Sequence, residues 1–273
     1  MTDYTDRFYK ALKTGYEGQF YDITHFDAAH GSMLDRYQFT IENSDDGLEY
    51  QAKLEALKKL VAVGKIGEAS KWNAPHMVAI SFERHLYYPL FGFEQDGDKD
   101  FVPFKLTPLG LSAPSEVTFV RDLEAFYNSA DGKEAIGQRS LYLLRNADRE
   151  EKGLGFALAG NFYPDFLLWL VDDTSGKQWL TFVDPKGLRK IDLSHPKLGL
   201  YKEVKTLEAT LAAQAKAGEP PLVLNAFVLS RTKFADLLNV GDPTKKADLE
   251  SRNVLFMEDG WGKYLGDMFS RIC

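Results

Sequence analysis

Asp165, Asp184 and Lys186 are the residues whose types and spacing suit a reaction, and they fall within NFYPDFLLWLVDDTSGKQWLTFVDPKGLRK, residues 161–190. Asp184 and Lys186 stand two apart, so in a strand their side chains project to one face while Pro185 between them projects to the other. Pro185 keeps its carbonyl but has no N–H to donate. Gly187 then lets the backbone turn or a ligand approach closely. Asp165 lies on the preceding apolar run, across a polar turn from Asp172 to Gly176. Read as a β-hairpin, this segment brings both carboxylates, the Pro185 carbonyl and the lysine ammonium to one patch. That set suits hydrolysis of a phosphodiester. Mg2+ (or Mn2+) takes oxygen ligands and retains several waters, so Asp165, Asp184 and the Pro185 carbonyl make an adequate cage. A bound divalent ion activates water and neutralises charge on a phosphate. The Lys186 ammonium orients the attacking water or stabilises developing negative charge.

A fourth acid joins the candidates. On the helix expected to open at Pro114-Ser115, with Ser115 as N-cap, Glu116 shares an azimuth with Val120, Leu123 and Tyr127. A carboxylate on an apolar stripe needs a partner, which a metal or the lysine would supply. The competing reading is a first-turn acid favoured by the helix dipole. Taken singly, Asp-Pro-Lys-Gly and Pro-Asp are ordinary turn sequences; it is their convergence on two apolar strands that points to a site.

The elements that must position these residues follow the same region. A helix from Pro114 to about Tyr127 is followed by strands at Ser140–Leu144, Phe162–Val171 and Gln178–Val183. A helix over Tyr201–Ala217 and a strand over Pro221–Leu229 come next, and the stretch from Pro243 to about Phe269 reads as largely helical, with Asp242 as its N-cap. This order predicts an α/β (α+β) fold with a mixed sheet flanked by helices. Gly, Pro and Asp punctuation over residues 91–115 suggests a boundary, giving a mainly helical accessory region at 1–105 and the catalytic domain at 106–273. Within the first part, Leu48–Val63 has amphipathic spacing, Tyr4–Leu12 suggests another helix, and the apolar run Met77–Leu90 suits a strand.

Composition narrows the classes. The chain has 273 residues, 44% of them hydrophobic, which is enough for a sizeable core. A net charge of -7 argues against a protein that coats DNA indiscriminately, so any DNA contact needs a local basic face. Arg145, Arg149, Lys152, Arg189 and Lys190 are the candidates for that face, with Arg139, Lys197, Lys202 and Lys205 nearby. The single cysteine, Cys273, excludes an intrachain disulfide and a Cys-based zinc site. No signal-peptide core and no run of membrane-span length occurs, so a cytoplasmic location without membrane association is expected.

The quoted segment resembles the PD-(D/E)xK nuclease motif, here Pro164-Asp165 followed by Asp184-Pro185-Lys186. More narrowly, with SEVTFVRDLEAFY (115–127), LYLLRN (141–146) and HLYYPLF (85–91), it is similar to the C-terminal endonuclease region of type III restriction-enzyme Res subunits and DEAD/DEAH-box helicase-nucleases. The resemblance implies a restriction-endonuclease-like core and an Mg2+-dependent DNA endonuclease. Asp165 and Asp184 become metal ligands, Lys186 the catalytic lysine, and Glu116 the acid often carried on the first core helix. It also implies a role in antiviral defence beside an ATP-driven helicase or translocase. This chain lacks a GxxxxGK[ST] phosphate loop, so the motor would lie elsewhere in a parent protein or in a partner. The alternatives are a catalytically silent module that docks DNA or a helicase, and an RNA-directed nuclease.

Overall fold

The computed structural model describes residues 38–62, 73–74, 76–80, 90–93, 103–107, 111, 113–146, 164–238 and 244–273. The chain divides into two compact units, one within Phe26–Ala125 and one built on Phe126–Cys273.

In the first unit, strand β1 (Gln38–Ile41) leads into helix α1 (Asp45–Ala62), and short strands β2 (Asn73–Ala74), β3 (Met77–Ile80), β4 (Leu90–Phe93) and β5 (Phe104–Thr107) follow. β1 pairs antiparallel with β5, and β2, β3 and β4 form a separate antiparallel sheet. Ser44 caps α1 by accepting from the Gly47 N–H at 3.1 Å, and Leu54 and Leu57 bury its apolar face. Among the described residues up to 105, the expected helix thus stands beside short strands. Apolar runs such as Met77-Val78-Ala79-Ile80 and Leu90-Phe91-Gly92-Phe93 satisfy their backbone groups by pairing with each other. The expected helix at Tyr4–Leu12 lies outside the described residues.

Helix α2 (Pro114–Asn128) begins in the first unit and ends in the second. Its start corrects the expected N-cap. Pro114, not Ser115, opens the helix, because the Glu116 and Val117 N–H groups both reach the Ala113 carbonyl, at 2.9 and 3.2 Å. Proline suits that first position, where its missing N–H would have no helical partner.

The second unit carries Asp165, Asp184 and Lys186. After α2 come helix α3 (Ala130–Ile136), strands β6 (Ser140–Arg145), β7 (Phe166–Val171) and β8 (Gln178–Lys186), helix α4 (Leu200–Gln214) and strand β9 (Leu222–Ser230). Helix α5 (Lys246–Glu250), strand β10 (Val254–Phe256) and helix α6 (Trp261–Ile272) complete it. The five strands form one mixed sheet in the order β10-β9-β8-β7-β6. β6, β7 and β8 are mutually antiparallel, whereas β9 and β10 run parallel to β8. The crossover from β8 to β9 is made by α4, as a parallel connection requires. An α/β fold with a five-stranded mixed sheet flanked by helices is thus observed.

The stretch read as helical beyond Pro243 is corrected. Val254-Leu255-Phe256 is a fully buried edge strand on β9, reached through Asn253 in the left-handed region, and only Trp261–Ile272 forms a long helix. Pro243 and Asp242 lie outside the described residues. The hairpin turn forms as expected. The Asp172 carboxylate accepts from Thr174 N, Ser175 N and Ser175 Oγ, and Gly176 closes the turn at φ 71°.

Leu200, Val204 and Leu207 of α4 pack on Leu180 and Phe182 of β8, Leu167 of β7 and Leu224 and Ala226 of β9. The other face is equally dry, with Leu141, Leu143, Phe166, Leu168 and Val183 all buried. Central β8 therefore reads as a near-continuous apolar run rather than an alternating one.

Candidate active site

The β7–β8 register fixes where the two carboxylates lie. Its last pair is Phe166 with Val183, so one further step sets Asp165 opposite Asp184. Parity settles the kind of pair. Gln178 N donates to Pro221 O and Lys186 O accepts from Arg231 N, so the even-numbered residues of β8 turn their backbone groups toward β9. Continued by that one step, Asp165 and Asp184 would fall at a non-hydrogen-bonded position, the class with the closest side chains. The next step would be a hydrogen-bonded pair of Pro164 with Pro185. Neither proline has an N–H, so the ladder cannot be carried on there, and its last pair is Phe166 with Val183. The expected strand start at Phe162 is corrected by the same chemistry. Asp165 is a bend residue immediately before β7, not a member of it.

Arg145, the last residue of β6, and Asn146 just after it hold this bend. Asn146 N donates to the Asp165 carbonyl at 2.8 Å, and its Nδ2, buried, donates to the Pro164 carbonyl at 2.8 Å. Arg145 Nη1 donates to the Asp165 carbonyl at 2.8 Å and lies 3.4 Å from Asp165 Oδ1. Arg145, expected to contact DNA, is thus occupied with Asp165 and stacks over the Phe166 ring.

Asp184 is 2% exposed. Its Oδ2 accepts from Lys197 Nζ at 3.2 Å, and its Oδ1 has no partner among the described residues. Lys197 rides on a short 3-10 turn, Pro196–Gly199, where the Lys197 N–H is capped by His195 Nδ1 and Leu198 is buried. Burial pulls the Lys197 ammonium below the ordinary lysine range; the Asp184 carboxylate opposes this and the neighbouring Lys186 charge adds to it. Lys186 itself is exposed at the end of β8. The buried carboxylate thus pairs with Lys197, and a second ammonium, Lys186, lies near that lysine. Lys197 is the functional candidate that sequence reasoning missed, since there it was one basic residue among many. The available signal was Asp184 itself, because a carboxylate at the end of a buried strand requires a nearby cation.

The other candidates are distributed as follows. Glu116 is buried in the first turn of α2, where its Oε2 accepts from Ala113 N at 3.4 Å, the reciprocal half of a capping box. Arg189 and Lys190 are exposed in the loop after β8. Lys205 pairs with Glu208 on α4, and Arg149 and Lys152 lie outside the described residues.

Whether the donors fit a metal follows from their chemistry. Among the described residues no group of three His, Cys, Asp or Glu side chains converges. Two opposed aspartates, one with an uncommitted oxygen, still suit a hard cation that keeps most of its own waters. No protein-family model, no curated protein and no solved structure matches this chain. Among the described residues no helix is long and apolar enough to cross a membrane.

Proposed function

We propose that this chain is a divalent-metal-dependent nuclease that hydrolyses DNA phosphodiester bonds at Asp165, Asp184 and Lys186. One observation supports the reading: the β7–β8 register, continued one step past Phe166 and Val183, would set Asp165 opposite Asp184, whose buried carboxylate pairs with Lys197, itself near Lys186. Further support comes from the order of elements. A helix, three antiparallel strands, a helix and a parallel strand agree with the mixed sheet that a restriction-endonuclease-like core implies.

Asp165 and Asp184 would hold Mg2+ or Mn2+, together with the Pro185 carbonyl. Such an ion supplies a water of lowered pKa and charge neutralisation at the phosphate. The remaining work belongs to side chains. Arg145 and Asn146 fix the Pro164-Asp165 backbone, so one carboxylate is held in place before substrate arrives. Exposed Lys186 reaches solvent, where it can meet a phosphate oxygen. Glu116 belongs to this reading only as the acid of the first core helix. A helicase or translocase partner and a place in defence rest on the sequence resemblance alone.

One observation favours a second reading, a nuclease-like module that binds without cutting. Each aspartate already holds a side-chain cation, Arg145 or Lys197. The two readings separate in a melting experiment with Mn2+. A metal site raises the melting temperature and Asp184→Asn removes the rise, whereas a silent module melts identically with and without the ion.

A further inference from the structure

The ion pair at Asp184 has an unusual balance. A carboxylate 2% exposed holds one ammonium, Lys197 at 3.2 Å, and a second ammonium, Lys186, lies near Lys197. Only Oδ2 is engaged, and Oδ1 has no partner among the described residues. The backbone that carries Lys197 is pinned by the His195 cap and by buried Leu198, while the lysine stem is long and flexible. A change at this point can therefore be a side-chain movement with no rearrangement of the fold.

We propose that Lys197 is a built-in counter-ion for Asp184, which holds the carboxylate when no divalent cation is present and withdraws when one binds. The inference rests on the metal-site reading above. Its physical basis is simple. A divalent ion at Asp184 and an ammonium 3.2 Å from the same carboxylate repel each other, and both cannot be accommodated at full strength. Asp184, left without any cation, would be a buried unpaired charge, so a resident ammonium keeps the empty site folded. Lys186 adds repulsion that eases the withdrawal. Lys197 is a positioning residue here, acting through Asp184.

The test is Mn2+ binding by calorimetry on the full chain, with wild type, Lys197→Met, Lys197→Gln, Lys197→Arg and Asp184→Asn. Lys197→Met and Lys197→Gln are expected to bind Mn2+ roughly threefold to tenfold more tightly than wild type, because the competing charge is gone. Both should melt lower than wild type without metal and recover most of that loss when it is added. Lys197→Gln keeps a neutral donor for Oδ2, so it serves if Lys197→Met does not fold. Lys197→Arg should bind no more tightly than wild type, and Asp184→Asn should lose binding. Equal or weaker Mn2+ affinity in the Met and Gln variants overturns the inference but leaves the nuclease reading standing. Absence of saturable binding by every protein, wild type included, overturns both.

Discussion

Asp184 and its lysine are a case where burial makes one interaction matter more than its distance suggests. Exposed ion pairs are worth little, but removing one partner of a buried pair strands the other. Asp184→Ala is expected to cost about 3 kcal/mol of unfolding free energy in urea denaturation, chiefly because Lys197 loses its counter-charge. Lys197→Ala should cost a similar amount, and the double variant clearly less than the two together. Additive losses would mean the two groups do not stabilise each other. Glu203, on the first turn of α4, is the opposite case. Its Oε2 is buried without a partner among the described residues, and burial raises its pKa. A raised folded pKa means that its contribution is intact below the ordinary glutamate value and is lost as pH rises through the folded value. Glu203→Gln should therefore raise the melting temperature at neutral pH and change it little in acid. An equal gain at both pH values would show that charge is not the cause.

At the scale of elements, the site depends on how β6, β7 and β8 end. The Pro164-Asp165 bend is held by Asn146 Nδ2 at 2.8 Å. Asn146→Ala leaves a buried carbonyl without that donor and should cost about 1–3 kcal/mol, with a larger fall in cleavage than in stability. Unchanged cleavage would mean that the bend does not position the reacting groups. This part of the molecule was legible in sequence because two apolar runs flank a turn with its own hydrogen-bonding side chains, which sets both strands and their register. The sequence also carries the two prolines, but their meaning emerges only once the register shows that a ladder continued past Phe166 and Val183 would run into both. Lys197 was illegible because its position depends on the path of the loop between β8 and α4, which no periodicity governs. Residues 254–256 were misread as helical because a three-residue buried strand has too few positions to show a period. The N-terminal strands are equally short, so the single long helix α1 dominated the reading of that region.

For the whole molecule, the question is how a chain of net charge -7 would hold DNA. Three exposed basic residues, Lys186, Arg189 and Lys190, stand at the end of β8 and just after it. The pair change Arg189→Glu and Lys190→Glu should weaken DNA binding independently of base sequence. It should also flatten the dependence of log affinity on log salt by about one for each phosphate that the protein no longer neutralises. An unaltered salt slope would move the DNA path elsewhere. The central claim is cleavage at Asp184, and the most direct measurement is conversion of plasmid DNA by the full chain with Mn2+ or Mg2+, beside Asp184→Asn and a chelator control. Nicked or linear product is expected from the native chain only, and none from the variant or with chelator. Equal cleavage by Asp184→Asn, or cleavage that persists in chelator, would contradict that claim.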